Sequence, residues 1–107
     1  MTKDAWARVG RLIGLGLRAR TVVVGVQQAR VAAQKHKVVM AIVADDASEN
    51  SRAKIVPMLR AKRIELLGGV TSAGLGSVVG RDATTVVAVL DAALARGMRE
   101  AMASKAP

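Results

Sequence analysis

Three carboxylates, Asp45, Asp46 and Glu49, stand just past an apolar run from Val38 to Ala44, and clustered carboxylates at a strand end can hold a hard cation such as Mg²⁺. A simpler use fits the spacing better. Asp46 with Glu49 three residues on, or Ser48 in its place, can cap the first N–H groups of a following helix. The one histidine, His36, lies between Lys35 and Lys37. With no acid or hydroxyl nucleophile at a recognisable spacing, it suits a helix C-terminus better than a catalyst. Gly74-x-Gly76 lacks the third glycine of a dinucleotide fingerprint, Val79 standing there instead, and it does not open an early βαβ unit. No cofactor, no metal and no enzymatic activity are expected.

Charge is the stronger signal. The 107 residues carry 17 Lys and Arg against 8 Asp and Glu, a formal charge of +9. The excess is uneven: residues 1–37 hold eight basic side chains and one acid, Asp4, while the other seventy hold nine and seven. Such a bias favours a polyanion over a merely solvated surface. Further on, Arg52, Lys54, Arg60, Lys62 and Arg63 form a second basic set without an acid from Ser51 to Ile64. It extends an RNA footprint, contacts ribosomal RNA elsewhere, or is merely a solvated helix face.

What is missing narrows the field. No cysteine is present, so disulfides, thiol chemistry and cysteine-held metals are excluded. Trp6 is the single aromatic residue, which leaves no platform for stacking bases in the manner of RRM or OB modules. At 51% apolar the chain can bury a core, so one domain over residues 1–107 is expected. No run of about 18 apolar residues exists to span a bilayer, and the Arg-rich start lacks the serines of a transit peptide. The expectation is a cytoplasmic protein with no membrane partner.

Elements alternate to position these residues. Trp6, Val9, Ile13 and Leu17 recur at helical spacing within a first helix, Ala5–Ala19. Thr21–Val24 is β-branched and closes on Gly25, predicting a short strand and turn. A second helix follows over Val26–His36, with Val26, Ala29 and Ala33 on one side. The continuous apolar run Val38–Ala44 suits a central strand buried on both faces. The third helix runs toward Lys62, with Pro57 expected to kink or interrupt it. Ile64–Leu67 is a strand, Thr71 or Ser72 caps a short helix ending near Gly80, and Thr84–Leu90 is the last strand. Asp91 opens a final helix to about Ala103, with Met98 and Met102 as core contacts. Alternation of this kind gives an α/β fold, a three-layer α/β/α sandwich around a four-stranded, largely buried mixed sheet.

The order of residues resembles a known family. Leu12-Ile13-Gly14-Leu15, Arg18-Ala19, Val23 and Gly25 resemble the opening signature of the bacterial kink-turn RNA-binding ribosomal proteins. In register after them, Val38–Ala44 with Asp45-Asp46-Ala47-Ser48-Glu49-Asn50 is similar to that family's central strand and acidic turn. Leu75-Gly76 with Gly80 resembles its fourth helix, and Val86–Val89 its closing strand. The likeness covers roughly residues 9–100.

The resemblance implies the same α/β/α fold and recognition of a kink turn, a sharply bent RNA with tandem sheared G·A pairs. In the family the second helix presents its N-terminus to the RNA. Free N–H groups near Gly25 suit phosphate, and glycine permits close approach. Gln27 and Gln28 occupy the positions that read guanine edges, and their amides can both donate and accept there. Taken without the family, two glutamines at a helix start are commonly just solvated. Val31 stands where a lysine is common, with Arg30 and Lys35 nearby to reach the backbone. Arg20-Thr21 replaces a Gly-Lys before the first strand. The loop after the fourth helix is polar, Arg81-Asp82-Ala83, where the family has apolar residues. The implied RNA-binding set is Arg20, Thr21, Gly25, Gln27, Gln28, Arg30, Val31, Ser72, Arg81 and Asp82. Structured RNA, a kink turn or ribosomal RNA, is the expected partner of a monomer, with ribosome association and altered loop selectivity. The competing reading is a protein-interaction module of a translation complex with weakened RNA affinity, favoured by Val31 and the polar loop and opposed by the charge bias of residues 1–37.

Overall fold

The computed structural model describes residues 2–103; residues 1 and 104–107 of the expected single domain lie outside them. Helices and strands alternate: α1 (Lys3–Ala19), β1 (Val22–Val24), α2 (Val26–Gln34), β2 (Met40–Val43), α3 (Glu49–Ala61), β3 (Glu65–Leu67), α4 (Ser72–Val78), β4 (Val86–Val89) and α5 (Ala92–Ala103). The sheet runs β1-β4-β2-β3. β4 is antiparallel to both neighbours, whereas β2 and β3 are parallel, so the sheet is mixed as expected.

Side-chain period two divides each inner strand between two cores. Met40, Ile42, Val87 and Val89 pack with Val9, Ile13, Leu75 and Met98 of α1, α4 and α5. Ala41, Val43, Val86 and Ala88 face Ala29, Ala33, Ile55 and Leu59 of α2 and α3. Because both faces are covered, β2 and β4 are apolar at every position rather than alternating. Met102 is half-buried against the first of these cores. On the α1 side Gly16 is buried, and a Cβ there would stand 2.3 Å from Val22 Cγ2 and 2.7 Å from Leu94 Cδ2. Glycine thus lets α1 lie close against β1 and α5.

Several boundaries differ from the sequence expectation. The central strand is Met40–Val43, shorter than Val38–Ala44, and the last is Val86–Val89, shorter than Thr84–Leu90. The third helix is continuous through Pro57, without interruption. Pro57 lacks the N–H that the Ala53 carbonyl would bind, but both residues are exposed, so solvent can take that place. Ser48, not Asp46, caps α3, its hydroxyl accepting from Ser51 N–H at 3.1 Å. Thr71 caps α4 at 2.9 Å, and Asp91 caps α5 by accepting from Leu94 N–H at 2.8 Å.

The second helix ends at Gln34 rather than His36. His36 donates to Ala33 O at 3.0 Å and Lys37 to Ala32 O at 3.0 Å, the paired bonds of a helix C-terminus that turns through the left-handed region. α1 and α3 close identically, with Thr21 N–H on Gly16 O at 2.8 Å and Ile64 N–H on Leu59 O at 3.0 Å. The turning residues are Arg20, His36 and Arg63, at φ 62°, 57° and 57°. No described helix is long and apolar enough to cross a membrane.

Candidate nucleic-acid interface

The path from β1 into α2 forces Gly25 into an unusual backbone. Its φ of 94° and ψ of 160° belong to a region open essentially to glycine alone. This geometry lets its N–H donate to Val86 O at 2.9 Å while its carbonyl accepts from Ala29 N–H at 3.0 Å, starting α2 beside β4. No side chain caps that start. By helix geometry the N–H groups of Val26, Gln27 and Gln28 then have no intrahelical acceptor, and the helix dipole adds positive potential there. Gln27 and Gln28 are both exposed at this turn.

The loop before β4 closes on the same place. Gly80, at φ 75°, turns the chain out of α4, and Arg81 N–H donates to Gly76 O at 2.9 Å. Arg81 is exposed, and its guanidinium lies at Gly25: a Cβ on Gly25 would be 3.7 Å from Arg81 Nη1. Asp82 is exposed next to it. Helix start, amides and guanidinium form a donor-rich corner able to hold phosphate and to meet base edges.

Backbone bonds extend this end of the sheet to the acidic turn. Ala44 N–H donates to Thr85 O at 2.8 Å, Asp45 N–H to Val70 O at 2.8 Å, and Thr84 N–H to Ser72 O at 3.0 Å. The carboxylates themselves fasten the connection into α4. Asp45 accepts from Gly69 N–H at 3.1 and 3.0 Å, and Asp46 accepts from Ser72 N–H at 2.7 Å. Among the described residues no three His, Asp or Glu side chains converge on a metal position. The capping role expected of Asp46 therefore belongs to Ser48, and Asp45 and Asp46 staple one loop to another.

The Ser72 N–H holds the Asp46 carboxyl below its ordinary value, opposed in part by desolvation. A lowered folded pKa contributes stability that is fully present above the unfolded value and is lost as pH falls through the folded one. Asp46→Asn keeps an acceptor for Ser72 but removes the charge. Its melting temperature is expected to fall below wild type at neutral pH, with the gap closing below about pH 4. Parallel thermal melts across that range check it; a gap unchanged with pH would contradict the assignment.

Of the residues expected from sequence, Gly25, Gln27, Gln28, Arg81 and Asp82 come together. Ser72 lies at the same end of the sheet but is half-buried, its N–H spent on Asp46. Val31 is 41% exposed on α2, about 9 Å along the axis from Gly25. Arg30 turns the other way, its guanidinium donating to Lys54 O and tying α2 to α3. Arg20 and Thr21 precede β1 whereas Gly25 follows it, so they stand at the opposite end of the sheet, about 13 Å away. Thr21 is occupied there by Gly16 O and by Leu90 N–H, which donates to its carbonyl at 2.8 Å. Sequence reasoning missed Ala83 as the backbone that Gly76 admits, and the signal for it was present in the glycine itself.

Elsewhere, a surface hollow of about 530 Å³ runs along α1 between Trp6 and Arg18, lined by no carboxylate and no histidine. It offers no acid–base pair.

The model of the ribosomal protein L7Ae/L30e/S12e/Gadd45 family matches residues 7–100. No curated protein matches the chain in sequence. Among solved structures, the chain is similar to a protein with unknown function from Bacillus halodurans, at 24% identity and a TM-score of 0.79, covering 95% of this chain and 100% of that one. It is also similar to the Giardia lamblia 15.5kD RNA binding protein, at 16% identity and a TM-score of 0.75, covering 94% and 87%. At these identities the likenesses establish the fold.

Proposed function

Because the chain belongs to the ribosomal protein L7Ae/L30e/S12e/Gadd45 family, we propose that it is a non-enzymatic RNA-binding protein that recognises a kink turn or a similarly bent RNA. The observation that carries this reading is the uncapped start of α2 at Gly25, with exposed Gln27 and Gln28 on its first turn and Arg81 beside it. The structurally similar Giardia lamblia chain is described as RNA binding, which agrees with it.

Recognition follows from the groups present. The α2 N–H groups and dipole draw a backbone phosphate to Gly25, where no side chain blocks close approach. Gln27 and Gln28 read guanine edges through amides that donate to O6 or N7 and accept from the amino group. Arg81 pairs with a second phosphate, while Asp82 restricts what the loop accepts by repelling phosphate. A cytoplasmic monomer bound to ribosomal RNA is the setting this chemistry fits best.

Gln27→Ala with Gln28→Ala is the direct test. Both side chains are exposed, so the fold should be unaffected, and kinked RNA should bind at least about tenfold more weakly. Unchanged affinity would overturn the assignment. Val31, exposed where a cation would serve RNA better, favours the second reading, a protein-interaction module. Absence of affinity for any RNA in wild type would support that one.

A further inference from the structure

We propose that the opposite end of the sheet, the end holding Arg20, Lys37 and Arg63, is a second nucleic-acid contact that takes a phosphodiester backbone. It stands apart from the corner at Gly25 and does not depend on kink-turn recognition.

Topology assembles it. α1, α2 and α3 all finish at the end where β1, β2 and β3 begin, and each finishes in basic residues: Arg18 and Arg20, Lys35 to Lys37, and Lys62 with Arg63. Strand order spreads them from β1 at one edge to β3 at the other, about 14 Å. Arg20, Lys35, His36, Lys37 and Arg63 are exposed. The acids at this end are already engaged. Asp91 caps α5 through Leu94 N–H, and Glu65 pairs with Arg99 at 2.5 Å, the one salt bridge among the described residues. The cations are therefore left without acidic partners, and their fields add along the row.

Helix chemistry alone does not account for so many. One cation in the last turn complements a helix dipole, yet α2 is followed by Lys35 and Lys37, and α3 closes with Arg60, Lys62 and Arg63. Like charges so placed repel one another unless a polyanion lies across them. Three of the positions, Arg20, His36 and Arg63, hold left-handed backbone that glycine would adopt more easily. By contrast the corner at Gly25 has Asp82, Asp45 and Asp46 at its own end of the sheet. Membrane binding fits poorly, since interfacial anchors are aromatic or large and apolar. Trp6 lies near the start of α1, at the other end, and the exposed large apolar residues toward the row, Leu15 of α1 and Val39 before β2, are aliphatic and lie on separate elements.

The backbone supplies a clean test. In Arg20→Gly, Lys37→Gln, Arg63→Gly, the two glycines fit the left-handed positions, so charge is removed while the fold is retained. The probes are an unkinked duplex RNA of about 20 base pairs, a DNA duplex of the same sequence, and phosphatidylserine vesicles, each titrated at several salt concentrations. Wild type is expected to bind at least one duplex, and the triple variant to bind it at least tenfold more weakly, with its log–log salt slope reduced by about three. Gln27→Ala with Gln28→Ala should leave duplex binding unchanged. Equal affinity and slope in the triple variant, no duplex binding by wild type, or binding to vesicles alone would each overturn the proposal. Loss of kink-turn discrimination with duplex binding intact would instead count against the previous reading only.

Discussion

Gly76→Ala will lower stability by about 1–3 kcal/mol, because the added carbon has nowhere to go. It would stand 2.7 Å from Ala83 Cα and 2.8 Å from both Ala83 N and Arg81 O. All three are backbone atoms, so no side chain can swing aside. The carbonyl of Gly76 also accepts from Val79 and Arg81 N–H groups at 3.0 and 2.9 Å, which fixes α4 and the loop together. For a domain of this size the loss corresponds to a melting temperature lower by roughly 5–20 °C. Gly14→Ala is the matching control, since its carbon would meet only Arg18 Nη1 at 3.9 Å. There the gain in helix propensity should raise stability, by up to about 1 kcal/mol. Thermal unfolding of both variants checks the pair; equal melting temperatures would show that the Arg81 loop is not held by this close approach.

Gly25→Ala is expected to combine a stability loss of about 1–3 kcal/mol with a fall in RNA affinity of about a hundredfold. Crowding is not the cause, because the new carbon would lie at an ordinary 3.7 Å from Arg81 Nη1. The cost is in the backbone: φ 94° with ψ 160° is not a conformation an L-residue holds without strain. Relief of that strain must rotate the joint between β1 and α2, and with it the bonds from Gly25 N–H to Val86 and from Ala29 N–H to Gly25. Every group at the corner moves at once, which makes the effect larger than removing the two glutamines. A variant that melts lower but binds kinked RNA as tightly as wild type would contradict the role given to this turn.

Local chemistry made much of the fold legible from sequence. The uniformly apolar run Val38–Ala44 identified β2 as a strand covered on both sides, Thr84–Leu90 was legible as the last strand, and Thr71 and Asp91 marked helix starts through their own side-chain oxygens. What stayed hidden depends on residues far apart in the chain. Asp45 and Asp46 meet Gly69 and Ser72, 24 and 26 positions away, so at short range they read as helix caps or a cation site. Arg30 reaches Lys54 by the same kind of distant contact. Helix ends at Arg20, His36 and Arg63 carried no glycine to announce them. Composition placed the positive charge early in the chain but could not show that the length of β1 separates Arg20 from Gly25. Gly25, Gln27 and Gln28 were readable as a site through the resemblance, because one turn of one helix holds all three.

The most direct test of RNA recognition at Gly25 is a titration of wild-type protein into a labelled kink-turn RNA. The control is the same RNA with both sheared G·A pairs replaced, and both are measured at two salt concentrations. Tight binding that the control loses is the predicted result. Equal and strongly salt-dependent binding to both RNAs would contradict it, leaving charge rather than the corner at Gly25 as the source of affinity.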